Sequence, residues 1–236
     1  AETLLQSMVD AENNFKDILQ SPDVAVAEAM AHTGSKSVVI ADAQDNAGAG
    51  ASSDTTGLLN ALIRNNAQSA VLALLDDAKV AAKAHKLGVG VEFQTCLGGK
   101  SGQDGQYPFK GRFRIEALSN GKFQFTGVMF GGHTANLGLM AVLRILDTPA
   151  DVRVVIGSIR CQCLDQAIFS HIGINPAEQG ILAVKSSVHF RADFEPIADK
   201  VLVVEAPGAH PCRLDNIIYQ NLRPGIRLGP GGRPHR

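Results

Sequence analysis

The run Ser37-Val38-Val39-Ile40-Ala41-Asp42 leads straight into Ala43-Gln44-Asp45-Asn46-Ala47-Gly48-Ala49-Gly50, and this junction limits the folds open to the chain. A short apolar run without alternation reads as a strand buried on both faces, as in a parallel sheet with helices packed above and below it. The segments downstream repeat the pattern. Thr55 to Arg64 reads as a helix with Asp54 as its N-cap, and Ala70 to Leu75 as a strand. Asp76 to Lys86 reads as a helix closed by Gly88, and Val89 to Leu97 as the next strand. This order implies parallel strands joined by crossover helices.

The middle of the chain changes character. Phe109 to Ala117 alternates, Ser119-Asn120-Gly121 supplies a turn, and Lys122 to Gly127 alternates again, which predicts an antiparallel hairpin on an Asn-Gly turn. Ala135 to Leu146 and Val152 to Ile159 read as strands that turn through Asp147-Thr148-Pro149. Asp165 to Ser170 then reads as a short helix, Ile181 to Lys185 as a strand and Val188 to Ile197 as helical. Lys200 to Glu205 is the last strand, stopped by Pro207-Gly208. The expected fold class is α/β: a mixed sheet with parallel βαβ units and an antiparallel hairpin section, helices on its faces.

Ahead of this body, Leu4, Leu5, Met8, Val9, Phe15, Ile18 and Leu19 recur at a helical period. Ser21-Pro22-Asp23 opens a second helix, with Val24, Ala27 and Met30 expected to face inward and Gly34 to end it. Residues 1–33 are therefore expected to form a helical lead-in that docks on a domain absent from this chain, 34–225 the α/β domain, and 226–236 a flexible tail.

Composition narrows the function classes. The chain has 236 residues, 45% of them hydrophobic, so it can bury a core. Its formal net charge is -1, with no basic face to neutralise phosphates, which argues against nucleic-acid partners. No apolar run approaches the roughly 18 residues that span a bilayer, so no membrane partner is expected. The acidic amphipathic start does not read as a signal peptide. Cys96, Cys161, Cys163 and Cys212 match no zinc spacing and read as reduced structural thiols in a cytoplasmic protein. Cys161 and Cys163 alternate in a strand-like way, and a redox pair or metal site there is the alternative.

Three strand ends could carry chemistry. The Asp45-to-Gly50 loop sits where ligands bind in open α/β sheets, with small residues that let a backbone come close. Asp42, Asp45 and Asp54 around it argue against a bare phosphate cradle, and no Gly-Lys-Ser/Thr ending or third glycine supports a nucleotide fingerprint. A capped surface loop is the alternative. The second cluster, Lys185-Ser186-Ser187-Val188-His189-Phe190-Arg191, offers a proton carrier and a fork for carboxylates. The third contains Arg160, which would bind a substrate carboxylate or pair with an acidic residue of the loop. The remaining histidines form no metal spacing. The connection Gly98-Gly99-Lys100-Ser101-Gly102-Gln103-Asp104-Gly105 reads as a turn-rich loop or a lid.

The collinear series VVIADAQDNAGAGASSDTT, GVGVEFQTCLGGK, SNGKFQFTGVMFGG, VKSSVHFRADFEPIAD and VVEAPG resembles the carboxy-terminal domain of microcystinase C-like (MlrC-like) metallopeptidases over about residues 20 to 225. Residues 2 to 20 resemble the last helix of that family's amino-terminal domain. The resemblance implies the carboxy-terminal, cleft-forming half of a zinc-dependent amide or peptide hydrolase. Its zinc would be held mainly by the amino-terminal domain, with no metal ligands in this chain. The implied partners are that domain and a small peptide or amide substrate; a homo-oligomer is left open. The expected site places Asp45, His189 and Arg191 in catalysis and Asp42, Asn46, Gly48, Gly50, Asp54, Arg160 and Lys185 in substrate binding. The family usually reads Asp-Asn-Pro-Gly-Gly-Gly, where this chain has Ala47 and Ala49. If the Ala49 position required a positive φ, its side chain would be strained there. The alternative function is a non-catalytic module that recognises a small anionic ligand through the same loop.

Overall fold

In the computed structural model, which describes residues 1–15, 19–103 and 106–235, alternate residues of the central strands feed two separate apolar cores. The strands are β1 (Leu19–Gln20), β2 (Ser37–Asp42), β3 (Ala70–Asp76), β4 (Glu92–Leu97), β5 (Phe109–Ser119), β6 (Lys122–Gln124), β7 (Thr134–Asn136), β8 (Met140–Ile145), β9 (Val152–Gly157), β10 (Ile181–Val184) and β11 (Ala198–Val204). The α-helices are α1 (Glu2–Asp10), α2 (Pro22–Met30), α3 (Gly57–Arg64), α4 (Ala78–Leu87), α5 (Ala167–Ser170) and α6 (Arg191–Phe194). Val38, Ile40 and Leu72 point to the face covered by Leu58, Leu62 and Ala81 of α3 and α4. Val39, Ala41, Val71 and Ala73 point to the other, where they meet Phe169, Phe190 and Phe194. Both faces of β2 are dry, as its unbroken apolar run requires.

The sheet runs β1-β11-β2-β10-β3-β9-β8-β5-β4. From β11 to β9 it is parallel, and β9, β8, β5 and β4 pair antiparallel. The insertion of β10 between β2 and β3 matters most for the site. Val184 pairs with Ala41 on one side and Ala73 on the other, so Lys185, one step beyond, comes level with the end of β2.

The expected antiparallel section is present with different partners. The turn at Gly121, with φ of 68°, does not fold β6 back on β5. β5 instead pairs with β4 and β8, and β6 pairs with β7 in a separate two-stranded sheet. Ala135 of this small sheet and the flanking Phe125 and Leu137 join the second core, and that burial outweighs the local turn preference.

Local punctuation otherwise follows the sequence closely. Ser21 caps α2 by accepting from Val24 N–H, with Pro22 in the first turn. Its buried face is Ala25, Val26 and Ala29, not the expected Val24, Ala27 and Met30; Val24 and Met30 are exposed. Small residues on that face let α2 pack closely on its neighbours, α3 and the sheet. Gly88 ends α4 as expected, at φ 90° and ψ 163°, a conformation open to glycine but distinct from the usual left-handed cap, with its N–H on Ala84 O. Cys161-Gln162-Cys163 lies outside any strand, and none of the four cysteines is in a disulfide.

The chain divides into two compact units, Gln20–His210 and Ala1–Leu19 with Pro211–Arg236. In the smaller unit α1 buries none of its residues, while Glu12 pairs with Arg227 and accepts from Gly231 N–H. Ile18, Asp104, Gly105 and Arg236, named above in sequence patterns, lie outside the described residues. Among the described residues no helix is long and apolar enough to cross a membrane.

Candidate functional site

The carboxyl ends of β2, β10, β3 and β9 gather all three clusters on one edge of the sheet, and a buried ion network joins the first two. Lys185 Nζ lies 3.0 Å from Asp42 Oδ2, 2.6 Å from Asp45 Oδ2 and 3.2 Å from Thr55 Oγ1. Lys185, Asp42 and Asp45 have fully buried side chains. Burial pulls the Lys185 pKa down, but the two carboxylates outweigh it and raise the ammonium above its usual range. One ammonium cannot neutralise two carboxylates in a dry interior. Burial, helped by the neighbouring Asp45 charge, accordingly pushes Asp42 up to about 6 despite Lys185.

Asp45 spends its oxygens on the protein itself. Oδ1 accepts from Ser53 N–H at 2.7 Å and Ser52 Oγ at 3.1 Å, and Oδ2 accepts from Thr55 N–H and Oγ1, each at 2.8 Å, as well as from Lys185. These bonds pin both ends of the glycine-rich loop to one carboxylate. The loop also consumes its own donors. Gly48 N–H bonds Asn46 Oδ1, Ala49 and Ala51 N–H bond Asn46 O, and Gly50 N–H bonds Ala47 O. Ala47 to Ala49 form a single 3-10 turn. Gly50 carries the left-handed φ of 93°, whereas Ala49 is not among the residues with positive φ, so its Cβ is unstrained.

Asn46 and Gly48 carry the loop to its neighbours. Asn46 Nδ2 donates to Ser187 Oγ at 2.7 Å. A Cβ on Gly48 would lie 2.7 Å from Gln162 Cδ, so the glycine admits the Gln162 amide, which in turn lies 3.4 Å from His189 Nδ1. His189 is exposed at this rim. Arg191 is directed elsewhere, to Glu195 Oε1 at 2.7 Å and over the Phe190 ring. Arg160 donates to Ala51 O at 3.0 Å and forms no ion pair with the loop's carboxylates.

Asp54 does not cap α3. It accepts from Lys100 N–H, Ser101 N–H and Ser101 Oγ at 2.7 to 2.8 Å, and Gln106 Oε1 takes the helix start by accepting from Thr56 and Gly57 N–H. Burial pushes Asp54 up, but the Ser52, Ser101 and Lys100 hydrogen bonds outweigh it and leave it below its usual range. These contacts fold the 98–101 segment against the loop and frame a cleft of about 420 Å³ lined by Ser52, Asp54, Asp76, Asp77, Lys100 and Arg160. Asp76, Asp77, Lys100 and Gln162 were not among the residues the sequence singled out for the site. Asp76 and Asp77 end a strand ahead of a helix, the same positional cue that marked the other three clusters.

Among the described residues no three His, Cys, Asp or Glu side chains could hold a metal ion. Two of the three cleft carboxylates, Asp54 and Asp77, are engaged within the protein; Asp77 accepts from Val80 N–H, Gly98 N–H and Lys100 Nζ. The residues present do not fit a zinc ion.

Fold and site together define an α/β domain with a polar cleft at the carboxyl edge of a mostly parallel sheet. The family model for the MlrC C-terminus matches residues 40–221, and the chain belongs to that family. It is 28% identical over 167 residues to Microcystinase C from Sphingomonas sp, an alignment that takes in 71% of this chain and 31% of that protein. Its fold matches the crystal structure of a protein from Mesorhizobium sp. BNC1, described only provisionally as a metallopeptidase. There the TM-score is 0.74 at 20% identity, covering 86% of this chain and 40% of the other. The chain thus spans less than half the length of either relative.

Proposed function

We propose that this chain forms the substrate-facing half of a zinc-dependent amide or peptide hydrolase of the microcystinase C type, with the zinc held by an amino-terminal domain of the same protein. The observation that carries this reading is the convergence of the Asp45-to-Gly50 loop, the Lys185-to-His189 segment and Arg160 on one edge of the sheet, in a chain that belongs to the MlrC C-terminus family. The 31% share of Microcystinase C leaves room for the domain that would hold the metal.

Within this reading the residues divide by exposure. Asp42, Asp45 and Lys185 are sealed from solvent and act as positioning residues that hold the loop. Asn46 and Gly48 pass that position on to Ser187 and Gln162. His189, exposed beside Gln162, would carry a proton or stabilise negative charge at the substrate. Arg191 would join it only after leaving Glu195. The anion-binding module is the weaker reading, because the Gly48-to-Ala51 N–H groups it would use are already spent inside the loop.

The test is turnover by the complete two-domain protein on linear peptides and simple amides. His189→Ala should lower turnover by about a hundredfold or more while the melting temperature stays put, and a chelator should abolish activity. Full activity in His189→Ala, or in the metal-free protein, would sink the proposal.

A further inference from the structure

Two opposite charges face the cleft without meeting. Asp76, the last residue of β3, is half-buried, and no hydrogen bond or ion pair to its carboxylate is found among the described residues. Burial and the neighbouring Asp54 charge hold the Asp76 carboxyl above its usual range; Arg160 opposes this only in part, and the two form no ion pair. Ala51 O takes Arg160 Nη1 at 3.0 Å and leaves the rest of the guanidinium fork unengaged. The other charges of the cleft floor are satisfied: Lys100 pairs with Asp77 at 2.5 Å, and Asp54 holds its three donors. Lys79 adds one exposed positive charge at the rim.

Asp76 and Arg160 thus line one cavity of about 420 Å³, within the size range of small-molecule sites. We propose that this cleft binds a zwitterionic amino-acid or short-peptide ligand, its ammonium group on Asp76 and its carboxylate on Arg160. A free anion would be repelled by Asp76, and a simple cation would leave the Arg160 fork unused. Only a ligand carrying both charges a few ångströms apart satisfies both walls. The proposal rests on the hydrolase reading for the role of the bound molecule, as substrate or product, and adds that free termini are recognised.

The test is calorimetric titration of the chain with the dipeptide Ala-Ala, its N-acetyl derivative and its C-terminal amide. Asp76→Asn and Arg160→Gln, both close in shape to the native residues, serve as comparisons after circular dichroism shows them folded. Acetylation should weaken binding about tenfold in the native chain and barely in Asp76→Asn; amidation should do the same with respect to Arg160→Gln. Equal losses in native chain and variants, tighter binding of the blocked peptides, or no detectable Ala-Ala binding would overturn it. A complete enzyme that hydrolyses blocked and free peptides equally would leave the hydrolase reading standing while this one fell. Selective binding without hydrolysis would do the reverse.

Discussion

Lys185 Nζ sits 2.6 Å from Asp45 Oδ2 with both side chains fully buried, and this contact ties the end of β10 to the loop that follows β2. Removing one partner strands a charge. Lys185→Met should leave Asp42 and Asp45 facing each other without a counter-ion and cost about 3–5 kcal/mol. Urea unfolding would read this directly, and a loss below about 1 kcal/mol would show that the network does not support the fold.

Asp42 gives the network a pH dependence with a definite sign. Its folded pKa, about 6, lies above the ordinary 3.8, so the folded state holds this proton more tightly than the unfolded state. The group's contribution is therefore most favourable below 3.8 and is lost as pH rises towards 6, a difference on the order of 3 kcal/mol. Asp42→Asn should flatten the stability profile between these limits, relative to the native chain, in melts taken across that range. An unchanged slope would show that Asp42 is ionised throughout.

Asp165 fixes a different part of the edge. It is fully buried and accepts from Thr126 N–H, Gly127 N–H, Thr126 Oγ1 and Ala167 N–H. Asp165→Ala leaves these donors unpaired and should cost about 2–4 kcal/mol. Hydrogen exchange should show the amides of Thr126 and Gly127 losing protection ahead of those in β2 and β10. Uniform loss across the sheet would mean the residue supports the whole core instead.

The glycine pattern of the loop supplies the fourth prediction. Ala49→Gly restores the more usual family residue, yet Ala49 already sits in a 3-10 turn without a positive φ. The change should cost about 0.4–1 kcal/mol through the unfolded state, with no gain in activity. Gly50→Ala would instead force a Cβ into φ 93° and should be the more damaging of the two, as differential scanning fluorimetry would show.

How far the sequence could be read depended on the range of the interactions. The strand Ser37–Asp42, the cap at Ser21, the stop at Gly88 and the position of the glycine-rich loop were all legible, because each depends on its own side chains or nearest neighbours. The same local logic failed for β6, where burial of Phe125 against the second core outweighed the hairpin turn, and for Asp54, whose partners Lys100 and Ser101 arrive from a distant segment. Asp76 stood at a strand end like the other clusters, but nothing local marked its carboxylate as the unpaired one.

The sequence by itself determined that this chain would bury a parallel sheet on both faces and place a glycine-rich, acidic loop at its carboxyl edge. Periodicity and turn chemistry are properties of neighbouring residues. Only the tertiary structure decided that β10 lies between β2 and β3, and so that Lys185 meets Asp42 and Asp45 across 140 or more residues of chain. Strand order is a choice among many topologies with the same local pattern, settled by which packing buries both apolar faces and compensates the charges they enclose.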